Sequence, residues 1–148
     1  MKHSICLLFT VGILLSGCSK WNVEPKNFYS SATRGDLDTK PYVLYDLDLG
    51  AVNGSENADF YWRAIDQTSF YVSPTNGAAI AESSVPDPWN IPYLDLMNQN
   101  FKTSTITVGT YSNAIAYITN QGRYGAFRVS NYSFTDNTLK ISWITYSR

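Results

Sequence analysis

The chain has 148 residues, a formal net charge of −1, and eleven basic against twelve acidic side chains with no run of either sign, so neither nucleic acid nor a polybasic membrane contact is expected as a partner. It contains one histidine, His3, and two cysteines, Cys6 and Cys18. Aromatic residues make up 15% of it, and Ser and Thr are frequent, a composition of strands rather than helices.

Lys2 precedes a mostly apolar run from Ile5 to Leu15, interrupted by Thr10 and Gly12. As a helix this run rises about 16 Å, roughly half the hydrocarbon thickness of a bilayer, and it matches the n-region and h-region of an export signal rather than a membrane span. The next residues, Leu15-Ser16-Gly17-Cys18, resemble the lipobox of bacterial lipoproteins cut by signal peptidase II. Small side chains at 16 and 17 suit a narrow protease cleft, and a thiol is nucleophilic enough to take a lipid as a thioether.

The lipobox resemblance covers the first 20 residues. It implies cleavage between Gly17 and Cys18, lipidation of Cys18 and attachment to membrane lipid through acyl chains, two or three of which give lasting binding where one does not. Ser19, where many Gram-negative inner-membrane lipoproteins carry Asp, points to the outer membrane in such a host. Loss of residues 1–17 also removes His3 and Cys6. Zinc sites of the usual Cys and His kinds, Ser-His-Asp and Cys-His catalysis, haem ligation by His and an internal disulfide are then excluded within one chain.

Residues 18–40 are polar and aperiodic, with Pro25 and Gly35 as punctuation, and read as a lipidated N terminus and tether. Residues 41–148 read as one β-rich domain. From Tyr42 to Leu49 the pattern alternates, Tyr42, Leu44, Asp46 and Asp48 against Val43, Tyr45, Leu47 and Leu49, which predicts a strand whose aspartates face solvent. Gly50 and Asn53-Gly54 turn the chain. Phe60 to Ile65 and Ser69 to Val72 are further strands, Pro74-Thr75-Asn76-Gly77 is a turn, and Ala78 to Ala81 is expected to return as the hairpin partner. The Pro-rich stretch from Ser83 to Pro92 is a loop. Pro92 to Asn100 suits one short helix with Leu94, Met97 and Phe101 on one side. Ser104 to Val108, Ala114 to Thr119, Tyr124 to Tyr132 and Leu139 to Tyr146 complete the set. The last two form a hairpin in which Phe127 and Val129 share a core with Leu139, Ile141 and Trp143.

About eight short strands at this turn spacing define an all-β fold, a single small antiparallel β-sandwich or barrel with at most one short helix. An export Cys, the strand Tyr42-x-Leu44-x-Asp46-Leu47 and a final aromatic-rich hairpin together resemble, in pattern, the HmuY-like haem-binding envelope lipoproteins. The resemblance implies a β-rich envelope domain. Haem binding in that group uses paired axial side chains, whereas residues 18–148 hold no His and a single Met, Met97, so no cofactor is expected.

Candidate sites are few. Asp46 and Asp48, with Asp36 and Asp38 upstream, offer oxygen ligands for calcium, but Glu56 is poorly spaced to complete a loop and solvent-facing strand positions account for the aspartates; no metal site is expected. Asp59, Asp66, Glu82, Asp87 and Asp95 are carboxylates without a catalytic spacing, and no catalytic set is expected. Tyr61, Trp62, Tyr71 and Trp89 are the candidate aromatic platform for a sugar ring, a peptide or a hydrophobic ligand. Alternation would bury about half of such residues in the core, and Trp89, flanked by Pro88, is the one expected at the surface. The expectation is a non-enzymatic, lipid-anchored envelope protein that recognises a carbohydrate or an envelope protein. A structural part in an envelope assembly is the alternative, and a hydrolase the less favoured one.

Overall fold

The computed structural model describes residues 31–52, 56–110 and 113–147. They form two antiparallel sheets packed face to face, a sandwich and not a closed barrel. The first sheet has the order β1-β10-β9-β8-β6 and the second β3-β2-β4-β5-β7. The first contains β1 (Ser31–Thr39), β6 (Ala79–Glu82), β8 (Ile115–Ile118), β9 (Tyr124–Ser133) and β10 (Thr138–Ser147). The second contains β2 (Tyr45–Asp46), β3 (Ala51–Val52), β4 (Phe60–Ala64), β5 (Ser69–Pro74) and β7 (Ile106–Gly109).

The core is aromatic because inward positions on both sheets carry rings. Tyr45, Phe60, Trp62, Phe70 and Val72 from the second sheet meet Ile80, Tyr117, Phe127, Leu139, Ile141 and Trp143 from the first, with Val129 packed at the margin. Rings run across the interface as Tyr45, Phe60, Phe127 and Tyr117, with successive centroids 5.7, 5.5 and 6.1 Å apart. Offset and tilted contacts at these distances add to area burial. The other face of the first sheet is also covered. Ala126, Ile144 and Tyr146 pack there against Ile91, Tyr93 and Leu96, carried by α1 (Tyr93–Met97) and the 3-10 turn Pro88–Asn90 before it. This explains why β10 is buried without a break from Ile141 to Tyr146.

Four segments depart from the sequence pattern. Ser31–Thr39, within the stretch read as tether, is the edge strand β1, in register with β10 from Ser31 opposite Ser147 to Thr39 opposite Leu139. An edge strand exposed for most of its length carries no alternating apolar signal. Only Tyr45 and Asp46 of the expected Tyr42–Leu49 strand are extended in the sheet, and Tyr45, Asp46, Leu47 and Asp48 are all buried. The strand from Ala79 does not return on β5. It crosses to the first sheet and pairs with β8, while its outer edge is partly closed by the backbone bonds between Ile80 and Lys102. In α1 the buried residues are Tyr93 and Leu96, and Leu94 is exposed.

The expected turn at residues 74–77 forms as its residues require, while Asn53-Gly54 lies outside the described residues. Asn76 (φ 53°) and Gly77 (φ 87°) both take the left-handed region, which suits Asn-Gly. Gly50 also has positive φ, 64°, and an alanine methyl there would come within 2.1 Å of the Trp143 ring. Among the described residues no helix is long and apolar enough to cross a membrane.

Candidate functional site

Leu15, Ser16, Gly17 and Cys18 lie outside the described residues. The aromatic candidates divide into three places. Trp62 points inward from β4 and is fully buried, so it belongs to the core and not to a surface platform. Trp89 is exposed, as expected, but it sits on the 3-10 turn with the Arg34 guanidinium 5.7 Å from its ring centre, at the first sheet. Tyr61 and Tyr71 are half-buried on the outward face of the second sheet, where strand alternation places them together with Arg63.

On that face Tyr42, Leu44, Tyr61 and Arg63 line a groove of about 490 Å³. Arg63 is opposite Tyr71 in the β4–β5 register, and its guanidinium lies 4.3 Å from the Tyr71 ring centre, close enough for a cation–π contact that fixes its direction. Tyr42 is 71% exposed and has φ 61°, an uncommon conformation for a bulky residue and one that costs free energy. Its backbone N–H donates to the Trp62 carbonyl at 2.8 Å, so the strained backbone is tied to β4 while the ring stays in the groove. Sequence reasoning missed Tyr42 because period-2 alternation places it on a strand; the missing signal is a turn, Lys40 to Val43, that contains no glycine.

The second feature is acidic and buried. Asp46, Asp48 and Asp59 each offer a carboxylate oxygen, and these oxygens lie within 4.8 Å of one another. Asp46 Oδ1 accepts the backbone N–H groups of Asp48 (2.8 Å) and Leu49 (3.1 Å). Asp59 Oδ2 accepts from Leu47 and Oδ1 from Asn120, both at 2.7 Å. These bonds turn the aspartates inward, contrary to the solvent-facing positions expected for Asp46 and Asp48. Neither Asp48 oxygen accepts a hydrogen bond. Arg123 Nη1 forms an ion pair with its Oδ1 at 3.4 Å, and the Thr119 side chain lies beside it.

Burial pushes the Asp59 carboxyl up from 3.8 to about 6, against the pull of the Asn120 and Leu47 N–H groups. Burial also raises Asp48, more than Thr119 and Arg123 lower it. A buried charge held this way is costly. Beside the cluster, the Tyr117 hydroxyl bonds the Ile144 carbonyl (2.9 Å) and Thr145 Oγ1 (2.6 Å), and Thr145 donates to the Leu47 carbonyl (2.6 Å). This chain of bonds ties the turn after β2 to the opposite sheet.

The remaining acidic candidates do other things. Asp36 accepts from Ser142 (2.6 Å) and Asp38 is exposed on β1, so neither joins Asp46 and Asp48. Asp87 caps the 3-10 turn through Trp89 N–H, and Asp66 accepts from Thr68 in an exposed turn. Glu82 and Asp95 are exposed. No protein-family model, curated protein or solved structure matches the chain.

Proposed function

We propose that this chain is a lipid-anchored bacterial envelope protein whose β-sandwich is a non-enzymatic recognition module, with carbohydrate as the ligand of the groove on the second sheet. The observation that carries the binding half is Tyr42, held exposed in a strained backbone conformation beside Tyr61 and Arg63. Strain of this kind persists where surrounding structure enforces it, and it is concentrated at ligand sites. Tyrosine rings offer flat apolar faces for the C–H face of a sugar, with hydroxyls at their rims, and a stacked guanidinium supplies several N–H donors in a fixed plane. The groove has the size of a small-ligand site.

Titration of the chain with envelope oligosaccharides, followed calorimetrically, tests this half. Tyr42→Ala and Arg63→Ala are each expected to weaken binding about tenfold or more, the usual effect of removing a central aromatic or Arg contact. Unchanged affinity in both variants removes the groove from the reading.

The anchoring half rests on Leu15-Ser16-Gly17-Cys18. Cys18→Ser is expected to abolish labelling by a fatty-acid analogue in cells and to leave the precursor uncleaved. Continued labelling of that variant places the lipid elsewhere.

A further inference from the structure

The groove on the second sheet carries a charge, and that charge bears on which sugars it takes. Among the described residues that line it, Tyr42, Leu44 and Tyr61 are neutral and Arg63 is the cation. The chain as a whole has more acidic than basic side chains, yet among the described residues no carboxylate pairs with Arg63; the ion pair there is Arg123 with Asp48. Arg63 is exposed, and what holds it is the Tyr71 ring, 4.3 Å from its guanidinium carbon. A ring face attracts the charge through its quadrupole and offers no oxygen to the N–H fork, so the donors stay available.

Strand pairing fixes this arrangement. Arg63 on β4, Tyr71 on β5 and Thr107 on β7 stand opposite one another in register. An arginine held against a ring on a paired strand has already lost part of its rotamer freedom, and less remains to be lost when an anion meets it. A neutral sugar closing over the same guanidinium would strip water from the charge without replacing it, which opposes binding.

The position of Arg63 relative to the tyrosines selects among anions. Tyr61 and Arg63 are two residues apart on β4 and share its outward face, about 6.6 Å from one another along the strand. A pyranose ring stacked on Tyr61 therefore meets Arg63 at its rim. A carboxylate bonded directly to the ring carbon, as in a hexuronic acid, presents two oxygens there in the planar geometry of the guanidinium fork. A sugar phosphate is joined through a further ester oxygen and stands farther out.

We propose that the groove selects acidic sugars, with the Arg63 guanidinium pairing with the ring carboxylate of a hexuronic acid while Tyr42 and Tyr61 hold the sugar faces. This rests on the carbohydrate reading of the groove and adds the sign and position of the ligand's charge.

The test titrates the full chain in detergent, calorimetrically, with glucuronate, galacturonate and mannuronate trisaccharides, each as the free acid and as the methyl ester, which keeps the sugar and removes the charge. At least one acid is expected to bind about tenfold or more tightly than its own ester, the usual effect of hydrogen bonds between charged groups, and its advantage is expected to shrink as salt is raised. In Arg63→Gln the acid is expected to lose more affinity than the ester, bringing their ratio to about one. Arg63→Lys keeps the charge without the fork and is expected to recover only part of the ratio. Both variants change an exposed side chain, and their melting temperatures are expected to match that of the unaltered chain. Equal affinity for acid and ester, with both weakened by Tyr42→Ala, leaves the carbohydrate reading standing and overturns acidic selection. Failure of every acid and ester to bind removes the carbohydrate reading itself. A preference for the acid that survives Arg63→Gln overturns the part given to Arg63, and tighter binding of a hexose 6-phosphate trisaccharide overturns the choice of carboxylate.

Discussion

Gly125→Ala is expected to lower the unfolding free energy by about 3 kcal/mol, at the upper end of overpacking effects. A methyl group on residue 125 would stand 2.4 Å from the Ile144 carbonyl oxygen and 2.4 Å from Tyr117 Cζ. Neither neighbour can retreat easily. Ile144 lies in β10, whose backbone is paired on both sides. The Tyr117 ring is fully buried, sits over Phe127 and is pinned at its hydroxyl by Ile144 and Thr145. Gly125 faces Tyr117 in the β8–β9 register, so the ring occupies the space that a side chain at 125 would fill. Urea unfolding measures the loss directly. A change under about 0.5 kcal/mol, typical of a surface substitution, would mean that the ring and strand move apart freely.

The second large effect is a fall in stability with rising pH. Asp59 is pushed up to about 6 when folded against an ordinary 3.8, so between these values the folded state holds the proton that the unfolded chain has lost. Stability is therefore full below about pH 3.8 and declines as pH rises through about 6. The loss reaches about 3 kcal/mol by neutral pH. Asp48, raised by burial as well, adds loss of the same sign. Asp66, held low chiefly by the Thr68 N–H, works the other way at more acid pH. The expected result is a urea midpoint that drops between pH 4.5 and 7.5, and a flatter profile for Asp59→Asn. A midpoint that rises over that range contradicts the assignment.

Much of the sandwich is legible along the chain because its interior strands bury one face at a time. Phe60, Trp62 and Ala64 alternate with Tyr61 and Arg63, and the hairpin from Tyr124 to Tyr146 declares itself by Phe127, Leu139, Ile141 and Trp143. The segments that escape have physical reasons. β1 is held by backbone pairing to β10 and needs little apolar surface of its own. β6 is too short to say which sheet it joins, and its partner is set by how the chain crosses between layers.

The acidic cluster escapes for a subtler reason. Asp46 and Asp48 read as solvent-facing strand positions, whereas Asp46 bends the backbone back on itself through the N–H groups of residues 48 and 49. Asp59 stands apart in the chain, yet a signal existed. In the sequence Asn53-Gly54 predicts a turn between the two segments, and the pairing of Tyr45 with Phe60 brings Asp46 and Asp59 to the same end of the sheet. The groove was half legible. Tyr61 and Tyr71 come from alternation, while Tyr42 depends on a backbone conformation that no residue type announces.

β10 follows every other described strand in the chain, yet it lies inside its sheet with β1 on one flank and β9 on the other. A chain emerging N terminus first can form the β4–β5 and β8–β9 hairpins early. β1 has no strand to join until residues about 100 positions later arrive, and contacts this distant in sequence form late. Release of the finished domain is thereby timed to the last strand, and any chain stopped short of β10 presents two open strand edges, on β1 and β9, to its neighbours.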